Sequence, residues 1–429
     1  MGLRRFGTLV VVAALAAAGC GGDDDGESTG DATTTGAETT GGATTMAGGA
    51  GEATTTEADD GATTTASDCT LDEPLKIGYA ADFGDFGGFT DIPASEAARV
   101  QVDLLNAEGG VGGQDIEYVV KELPEDPSGA QRAAQELLDE GVHAIIGPPF
   151  AYNGVPLIET VDGQVPIIST ASTDLALADP ARGAFLMSFS DPVQGAAAAE
   201  FASEQGAMTA VTFSSPDDAY FTNTVAAFTE AFDETGGEVV RDFTFSIGDE
   251  DFSAQVNELA SLEPRPDVLY TAMIMPSVGV LLEQLAAADL GDLLIVGADS
   301  FDATVVWDAG DVANGVAFTS HTFPREDNGV GAFLDATAEA DVEIQTIAFG
   351  ALASDVVKVF AHAAEMACSL DGATLIETIA GISDLEVTTG SVTYAGTNGV
   401  PEKDVVILTV EDGEPAFTQA FRPTFVPGG

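Results

Sequence analysis

Strand-like and helix-like patterns alternate through residues 68–429, and this alternation limits the possible folds more than any other feature of the chain. Short, apolar, β-branched runs predict strands. The first four runs lie at 75–80, 116–121, 143–147 and 165–169. Helical spacing fills the gaps, as in Ser95–Asn106 and Gly129–Glu140. Repeated β-α-β units build a parallel sheet with helices on both faces, so the predicted fold class is α/β.

The same pattern restarts after Asp191-Pro192, with a helix predicted at Val193–Gln205. Further strands are predicted at 208–213, 237–245, 267–272, 293–297 and 315–320. Helices are predicted at 221–235, 252–262, 277–288, 332–340 and 347–368. The last three apolar runs, GSVTYAG, DVVILTV and PAFTQAF, are typical of an antiparallel ending. A folded region of this length exceeds one hydrophobic core, which predicts two doubly wound parallel-sheet lobes.

The segment Val165–Leu177 is the best candidate for a binding site. Its strand ends in a polar turn that carries the hydroxyls of Ser169, Thr170, Ser172 and Thr173. Ligands of open α/β sheets bind at the carboxyl ends of the strands. Hydroxyls and free N–H groups at a strand-to-helix turn suit an anion such as a carboxylate. Ser and Thr also cap helices, so capping is an alternative interpretation of this turn.

The surface charge excludes some classes of partner. The 429 residues include 71 acidic and only 13 basic side chains, for a formal charge of −58. Proteins that bind nucleic acid or anionic lipid surfaces neutralise phosphates with Lys and Arg, and this chain has few of either. Such acidity also suggests a salty habitat, since concentrated salt screens the repulsion between carboxylates.

The N-terminal 67 residues predict export and a tether. Residues 1–20 combine Arg4-Arg5 with an apolar core and end in Ala-Ala-Gly-Cys, which indicates a lipoprotein signal peptide with Cys20 as the lipidated residue. Residues 21–67 are rich in Gly, Thr and acidic side chains, so they predict a disordered spacer. The membrane would then be reached only through the lipid. The two remaining cysteines, Cys69 and Cys368, are more often paired than free in an exported protein, although spacing alone does not show pairing.

Catalytic and metal-binding patterns are scarce. His143, His321 and His362 are isolated in sequence, and core or surface roles are the favoured interpretation for all three. Neither a phosphate-binding loop nor a nucleophile motif is found in the sequence, so we expect no cofactor, no metal and no enzymatic activity. The glycine-rich patch 109–113 follows a helix and is typical of a helix C-terminus with a turn.

The order and spacing of seven segments resemble the leucine/isoleucine/valine-binding protein family, the solute-binding subunits of amino-acid ABC importers. Examples are LKIGYAADFGDFGGF, GVHAIIGPPF, VPIISTAST and TGSVTYAGTNGVPEKDVVILTVEDGEPAF, and the resemblance covers 74–418. It implies two lobes joined by three crossings, with a ligand cleft between them. Lobe one would comprise 68–190 and 319–386, and lobe two 191–318 and 387–429. Cys69 and Cys368 would then share a lobe, which makes a disulfide possible.

The resemblance also implies ligand contacts at particular positions. Ala171 and Thr173 match the positions that hold the ligand carboxylate, and Asp299 matches the acidic residue that receives the ligand ammonium. Tyr220 matches an aromatic position in the second lobe. A serine of the family is replaced by Ala151, with Tyr152 or Asn153 as possible substitutes. In the first loop the aromatic position falls on Phe89 or Thr90, with Phe83 and Phe86 nearby.

Each of these residues also has a structural interpretation, because Asp299 could cap a short helix and Tyr220 or the phenylalanines could pack in a core. The resemblance predicts a lipid-anchored receptor that delivers a small amino-acid-like ligand, a branched-chain amino acid or related amide, to ABC permease subunits. A ligand-sensing module of a signalling receptor is the alternative, since the same two-lobed module serves in receptors.

Overall fold

The structure, a computed structural model, describes residues 69–84, 87–123, 127–288, 290–307, 309–344 and 346–428. The predicted signal peptide, Cys20, the predicted tether and Phe86 lie outside the described residues. Within the described ranges the chain is a two-lobed α/β protein with one large sheet in each lobe.

The first sheet is entirely parallel, with the order β2-β1-β3-β4-β5. Its strands are β1 (Lys76–Ala81), β2 (Glu117–Glu122), β3 (Ala144–Gly147), β4 (Ile167–Ser169) and β5 (Ala184–Leu186). The helices between them are α1 (Gly88–Ala107), α2 (Pro127–Asp139) and α3 (Ala151–Val161). All four residues of β3 are buried, as expected for a parallel sheet covered on both faces.

Alternate residues of the first sheet enter two separate cores. Ile146 packs in the core beneath α1, whereas its neighbour Ile145 packs in the core beneath α2 and α3. This period of two is what a pleated strand imposes on its side chains. The four predicted strands of this lobe are therefore confirmed, and β5, which the sequence analysis did not predict, completes the sheet.

The second sheet is mixed, with the order β14-β13-β10-β9-β8-β6-β7. Its strands are β6 (Thr209–Ser214), β7 (Glu238–Thr244), β8 (Val268–Thr271), β9 (Leu294–Gly297), β10 (Ala317–Ser320), β13 (Val405–Glu411) and β14 (Glu414–Phe421). Its helices are α4 (Asp191–Glu204), α5 (Ala219–Glu234), α6 (Ser253–Ala260), α7 (Ser277–Ala287) and α8 (Thr304–Trp307). Strands β6 to β10 run parallel, while β13 is antiparallel to both β10 and β14. The predicted antiparallel ending is therefore confirmed for DVVILTV and PAFTQAF, whereas GSVTYAG forms a strand in a separate two-stranded sheet.

Small residues allow α4 to lie close to α5. A Cβ atom on Gly195 would meet the carbonyl oxygen of Thr224 at 2.7 Å. The following residues Ala196 to Ala199 are fully buried. A larger residue at position 195 would separate the two helices, because a packed interior has no spare volume.

The chain passes between the lobes three times. It leaves the first sheet after β5, returns after β10, and leaves again after the hairpin of β11 (Leu385–Val387) and β12 (Gly390–Val392). Helices α9 (Val330–Glu339), α10 (Ile347–Ala367) and α11 (Gly372–Ala380) lie in the returning segment. Val387, Val392 and Tyr394 pack in the first-lobe core, so the hairpin belongs with that core although the predicted boundary falls within it. The exact lobe boundaries stay a prediction.

Helix α10 packs against α1 in the middle of the first lobe. Within the described residues it is the one helix long and apolar enough to cross a membrane by length and composition, but 83% of the relevant window is buried inside the protein. A core helix passes the same test, so we assign α10 to the core. Cys368, the residue that follows α10, forms a disulfide with Cys69, with Cα atoms 5.4 Å apart.

Helix α3 was not predicted because Gly154 and Pro156 interrupt its helical pattern. The structure explains the glycine. A Cβ atom there would lie 2.6 Å from Leu177, so Gly154 lets the helix approach the segment that follows β4. Tertiary packing thus outweighs the weak helix propensity of this sequence.

Candidate functional site

A narrow cleft opens at the carboxyl ends of the strands, between the two lobes. About 20 Å³ of it is open to the centre of a water molecule. The first lobe contributes the N-terminal end of α1, the start of α3, the turn after β4 and part of α10. The second lobe contributes residues just before and at the start of α5 and residues that follow β9. The lining residues are Phe89, Thr90, Pro149, Phe150, Ala151, Ala171, Ser172, Thr173, Asp174, Asp218, Tyr220, Asp299, Ser300 and Phe349.

The turn after β4 forms one wall of the cleft. Backbone N–H groups of Ala171, Ser172 and Thr173 have no hydrogen-bond acceptor among the described residues. These N–H groups are therefore available to a negatively charged group. The capping interpretation applies to the next residue instead, since Asp174 accepts from the N–H of Ala176 at 2.8 Å.

Asp299 forms the opposite wall and is 3% exposed. Its Oδ1 accepts from the hydroxyl of Tyr220 at 2.6 Å, and its Oδ2 lies 2.9 Å from Nε2 of His321. Asp299 also begins a short 3-10 turn, but its side chain caps no helix. Since a carboxylate offers about four acceptor positions, two donors leave room for a ligand.

A buried polar network joins the two walls through Gln194 of α4. Its Nε2 donates to Thr173 Oγ1 at 3.2 Å, and its Oε1 accepts from the backbone N–H of Asp299 at 3.2 Å. The hydroxyl of Thr173 donates to Asp191. The first crossing therefore carries side chains that contact both halves of the site.

Burial controls the protonation of the carboxyls and the imidazole around this network. It raises the pKa of Asp191 to about 8, against the opposing effect of the hydrogen bond from Thr173. Burial likewise raises the pKa of Asp302 to about 7. For His321, burial lowers the pKa, because an apolar surrounding disfavours the imidazolium, although Asp299 opposes this shift. Neutral His321 would donate to Asp299 through Nε2.

The residues predicted around Ala151 divide into two groups. Ala151 lines the cleft. Tyr152 and Asn153 do not; the Tyr152 hydroxyl and the Asn153 amide both donate to Asp82, the latter at 3.1 Å. They hold the loop after β1 against α3, so in this conformation neither replaces the serine missing at Ala151.

The aromatic residues of the first loop also separate. Phe89 lines the cleft and packs edge-on against Phe349 of α10, with ring centroids 5.9 Å apart. Thr90 lines it as well, while its hydroxyl donates to the carbonyl of Gly87 at 2.8 Å. Phe83 packs against the first-lobe core instead.

Several residues around the cleft were not predicted from the sequence. Phe150, Asp174, Asp218, Ser300 and Phe349 line it, and His321 contacts Asp299 behind it. Three of them lie close in sequence to predicted positions: Asp174 follows Thr173, Ser300 follows Asp299, and Asp218 lies two residues before Tyr220. That proximity was the available signal. Phe349 and His321 had no local signal, because only the return of the chain to the first lobe brings them to the site.

Two α/β lobes, three crossings between them, and a cleft lined from both sides define a two-lobed solute-binding protein. The sequence profile of the periplasmic binding protein family matches residues 74–415, and the chain belongs to that family.

Individual relatives agree with this assignment. The Leu/Ile/Val-binding protein BraC3 of Rhizobium johnstonii is 26% identical over 326 residues, covering 74% of this chain and 86% of the relative. The crystal structure of the leucine-binding protein LivK of Thermotoga maritima has a TM-score of 0.72 at 26% identity, covering 81% and 99% of the two chains. A solute-binding protein of R. palustris in complex with benzoate has a TM-score of 0.72 at 19% identity, covering 83% and 98%, and shows the shared fold alone.

Proposed function

We propose that this protein is the extracytoplasmic solute-binding component of an ABC importer and that it binds an amino-acid-like zwitterion in the cleft. The observation that carries the proposal is the pairing of opposite wall chemistries. Unpartnered N–H groups of Ala171–Thr173 face the same cavity as the buried carboxylate of Asp299. The first suits a ligand carboxylate, and the second suits a ligand ammonium.

The comparisons support an amino-acid ligand without identifying it. BraC3 is described as a Leu/Ile/Val-binding protein and LivK as a leucine-binding protein. Each is 26% identical to this chain. A neighbour of the same fold holds benzoate, which has a carboxylate and no ammonium. Asp299 is the residue that favours a zwitterion over a plain carboxylate here, because an unpaired buried carboxylate repels anions.

Delivery to a membrane permease and anchoring through a lipid on Cys20 are the remaining parts of this proposal. They rest on the family and on the N-terminal sequence. Release of the protein from membranes of the native host when Cys20 is replaced by alanine, with loss of radiolabelled palmitate, would support the anchor. A Cys20→Ala protein that stays on the membrane would contradict it.

The cleft assignment is tested by replacing Asp299 with asparagine and titrating amino acids by calorimetry. Truncating or neutralising one partner of a buried charge pair costs about 2–5 kcal/mol, so we expect a loss of roughly 30-fold to a few thousand-fold in affinity. Phe83→Leu is the matched control, since Phe83 belongs to the same predicted set but lies outside the cleft. Wild-type affinity in Asp299→Asn would refute the ammonium contact.

A further inference from the structure

Two carboxylates from opposite lobes line the cleft beside the proposed zwitterion site. Asp174 ends the turn after β4 in the first lobe, and Asp218 precedes α5 in the second. Asp174 is 8% exposed. Each uses one oxygen as a cap: Asp174 Oδ1 accepts from Ala176 N–H at 2.8 Å, and Asp218 Oδ1 accepts from Tyr220 N–H at 2.9 Å.

The second oxygen of each carboxylate has no partner. Among the described residues, nothing forms a hydrogen bond or ion pair with Oδ2 of Asp174 or Oδ2 of Asp218. Capping does not require the charge, because serine and asparagine cap helices as well as aspartate does. The local fold therefore explains one oxygen of each side chain and leaves the negative charge without a structural role.

The two carboxylates interact unfavourably. Burial raises the pKa of Asp218; its hydrogen bond from Tyr220 N–H lowers it, and the charge of Asp174 raises it again. Like charges that share a site disfavour each other's ionised form. Closing the cleft removes water from between them and strengthens the repulsion, so a closed cleft needs a positive charge at this position.

The protein supplies no such charge. Described residues that line the cleft include no Lys, Arg or His. Four of the five hydroxyls there donate to other groups: Thr90 to Gly87, Ser300 to Ala272, Tyr220 to Asp299 and Thr173 to Asp191. The fifth, on Ser172, accepts from the backbone N–H of Asp174 at 3.3 Å, and a neutral hydroxyl does not balance two carboxylates. Nor do the described residues contain a group of three or more side chains suited to a metal ion. An organic cation fits better, since two carboxylates and aromatic walls match an ammonium on an apolar stem.

We propose that Asp174 and Asp218 form a subsite for a second cationic group of the ligand, so that the cleft selects amino acids with a basic side chain over branched-chain ones. The inference rests on the proposed function, in which Asp299 receives the α-ammonium. Phe89 and Phe150 would contact the methylene stem, and the terminal ammonium or guanidinium would bridge the lobes between the two free Oδ2 atoms.

The test compares lysine and ornithine with leucine and isoleucine by calorimetry on the full mature protein. We expect lysine or ornithine to bind at least tenfold more tightly than leucine. In the double variant Asp174→Asn, Asp218→Asn, the basic ligands should lose at least tenfold, while leucine affinity stays equal or improves. The double variant Asp233→Asn, Glu234→Gln removes two exposed acids at the far end of α5, so it is the charge-matched control and should change neither.

The outcomes separate the inference from the function on which it rests. If leucine binds as tightly as lysine and the double variant changes neither affinity, the cationic subsite is overturned and amino-acid binding stands. The diamine cadaverine, which has no carboxylate, is the second probe. If cadaverine binds, the double variant abolishes its binding, and no amino acid binds, the subsite is supported and the amino-acid function is overturned. Circular dichroism and the melting temperature show that each variant is folded.

Discussion

His321 shows at the scale of one residue how burial sets a charge state. The sequence favoured a core or surface role for it, and it is indeed buried, at 4% exposure. Its ring also stacks on Phe189 of the first crossing, with centroids 4.1 Å apart, and holds Asp299 from behind. Desolvation keeps it neutral, so it positions Asp299 without cancelling the charge that a ligand ammonium needs.

This neutral state predicts a pH dependence. Because burial lowers the pKa of His321 below the 6.5 of an unfolded chain, its contribution to stability is present above pH 6.5 and is lost as the pH falls towards the folded-state pKa. When the pH is lowered from 7 to 5, we expect the unfolding free energy of His321→Gln to fall by less than that of wild type. Glutamine keeps a hydrogen-bond donor near the position of Nε2 but does not titrate. Chemical denaturation at the two pH values measures this difference.

The matched comparison is His362→Gln. That side chain is only half-buried and burial lowers its pKa too, so we expect a change of the same sign but smaller than in His321→Gln. Comparing variants with wild type is necessary because Asp191 and Asp302 act in the opposite sense. Their raised pKa values, about 8 and about 7, lower stability as the pH rises from 4 through neutrality. An identical pH dependence in wild type and His321→Gln would show that His321 does not titrate in this window.

At the scale of elements, the disulfide ties the segment before β1 to the end of α10. Cys69 and Cys368 are 299 positions apart, so the bond closes a very long loop of the unfolded chain. In the chain-entropy description such a loop contributes up to about 5 kcal/mol. Both cysteines belong to the first lobe, so we expect the effect to be confined to its unfolding.

Replacing both cysteines with serine should therefore lower the unfolding free energy of the first lobe by about 2–5 kcal/mol, measured by denaturant titration. Reduced wild-type protein is the control and should resemble the double variant. Two free thiols per folded, oxidised wild-type molecule would show that the bond does not form. A double variant within 1 kcal/mol of oxidised wild type would contradict the stabilisation.

At the scale of the whole molecule, the lobes are in contact across the cleft. Phe150 of the first lobe packs in the core of the second and lies edge-on to Tyr220, with centroids 6.3 Å apart. The cleft between them is narrow, with a cavity volume of about 20 Å³. One water molecule by itself needs about 10–15 Å³ of cavity volume measured in the same way. An amino acid would enter only when the lobes are further apart than in this structure, so we expect the three crossings to act as a hinge.

We expect the ligand-free protein in solution to populate such an open state, and a ligand that contacts both walls of the cleft to shift it towards a closed state. Small-angle X-ray scattering should show a smaller radius of gyration when a tight ligand is added to the purified protein. Asp299→Asn at the same ligand concentration should show no change. A radius of gyration that is equal with and without a tightly bound ligand would contradict ligand-driven closure.

Much of the cleft followed from sequence segments and the family resemblance. Ala151, Ala171, Thr173, Tyr220 and Asp299 all line it, although their roles as ligand contacts remain predictions. Tyr152 and Asn153 do not line it in this structure, because Asp82, about seventy positions away, accepts their hydrogen bonds; a role for them as ligand contacts stays a prediction. No pattern within a short segment reports such a partner.

The sequence by itself determined most strands, most helices and the α/β class, because hydrophobic periodicity is a local property that each segment carries alone. Only the tertiary structure decided which side chains meet at the cleft. Asp174 and Asp218 line one cleft, and His321 contacts Asp299, because three crossings bring distant segments together. The pKa shifts of His321 and Asp218 were decided there too, since desolvation depends on what surrounds a group and not on its neighbours in the chain.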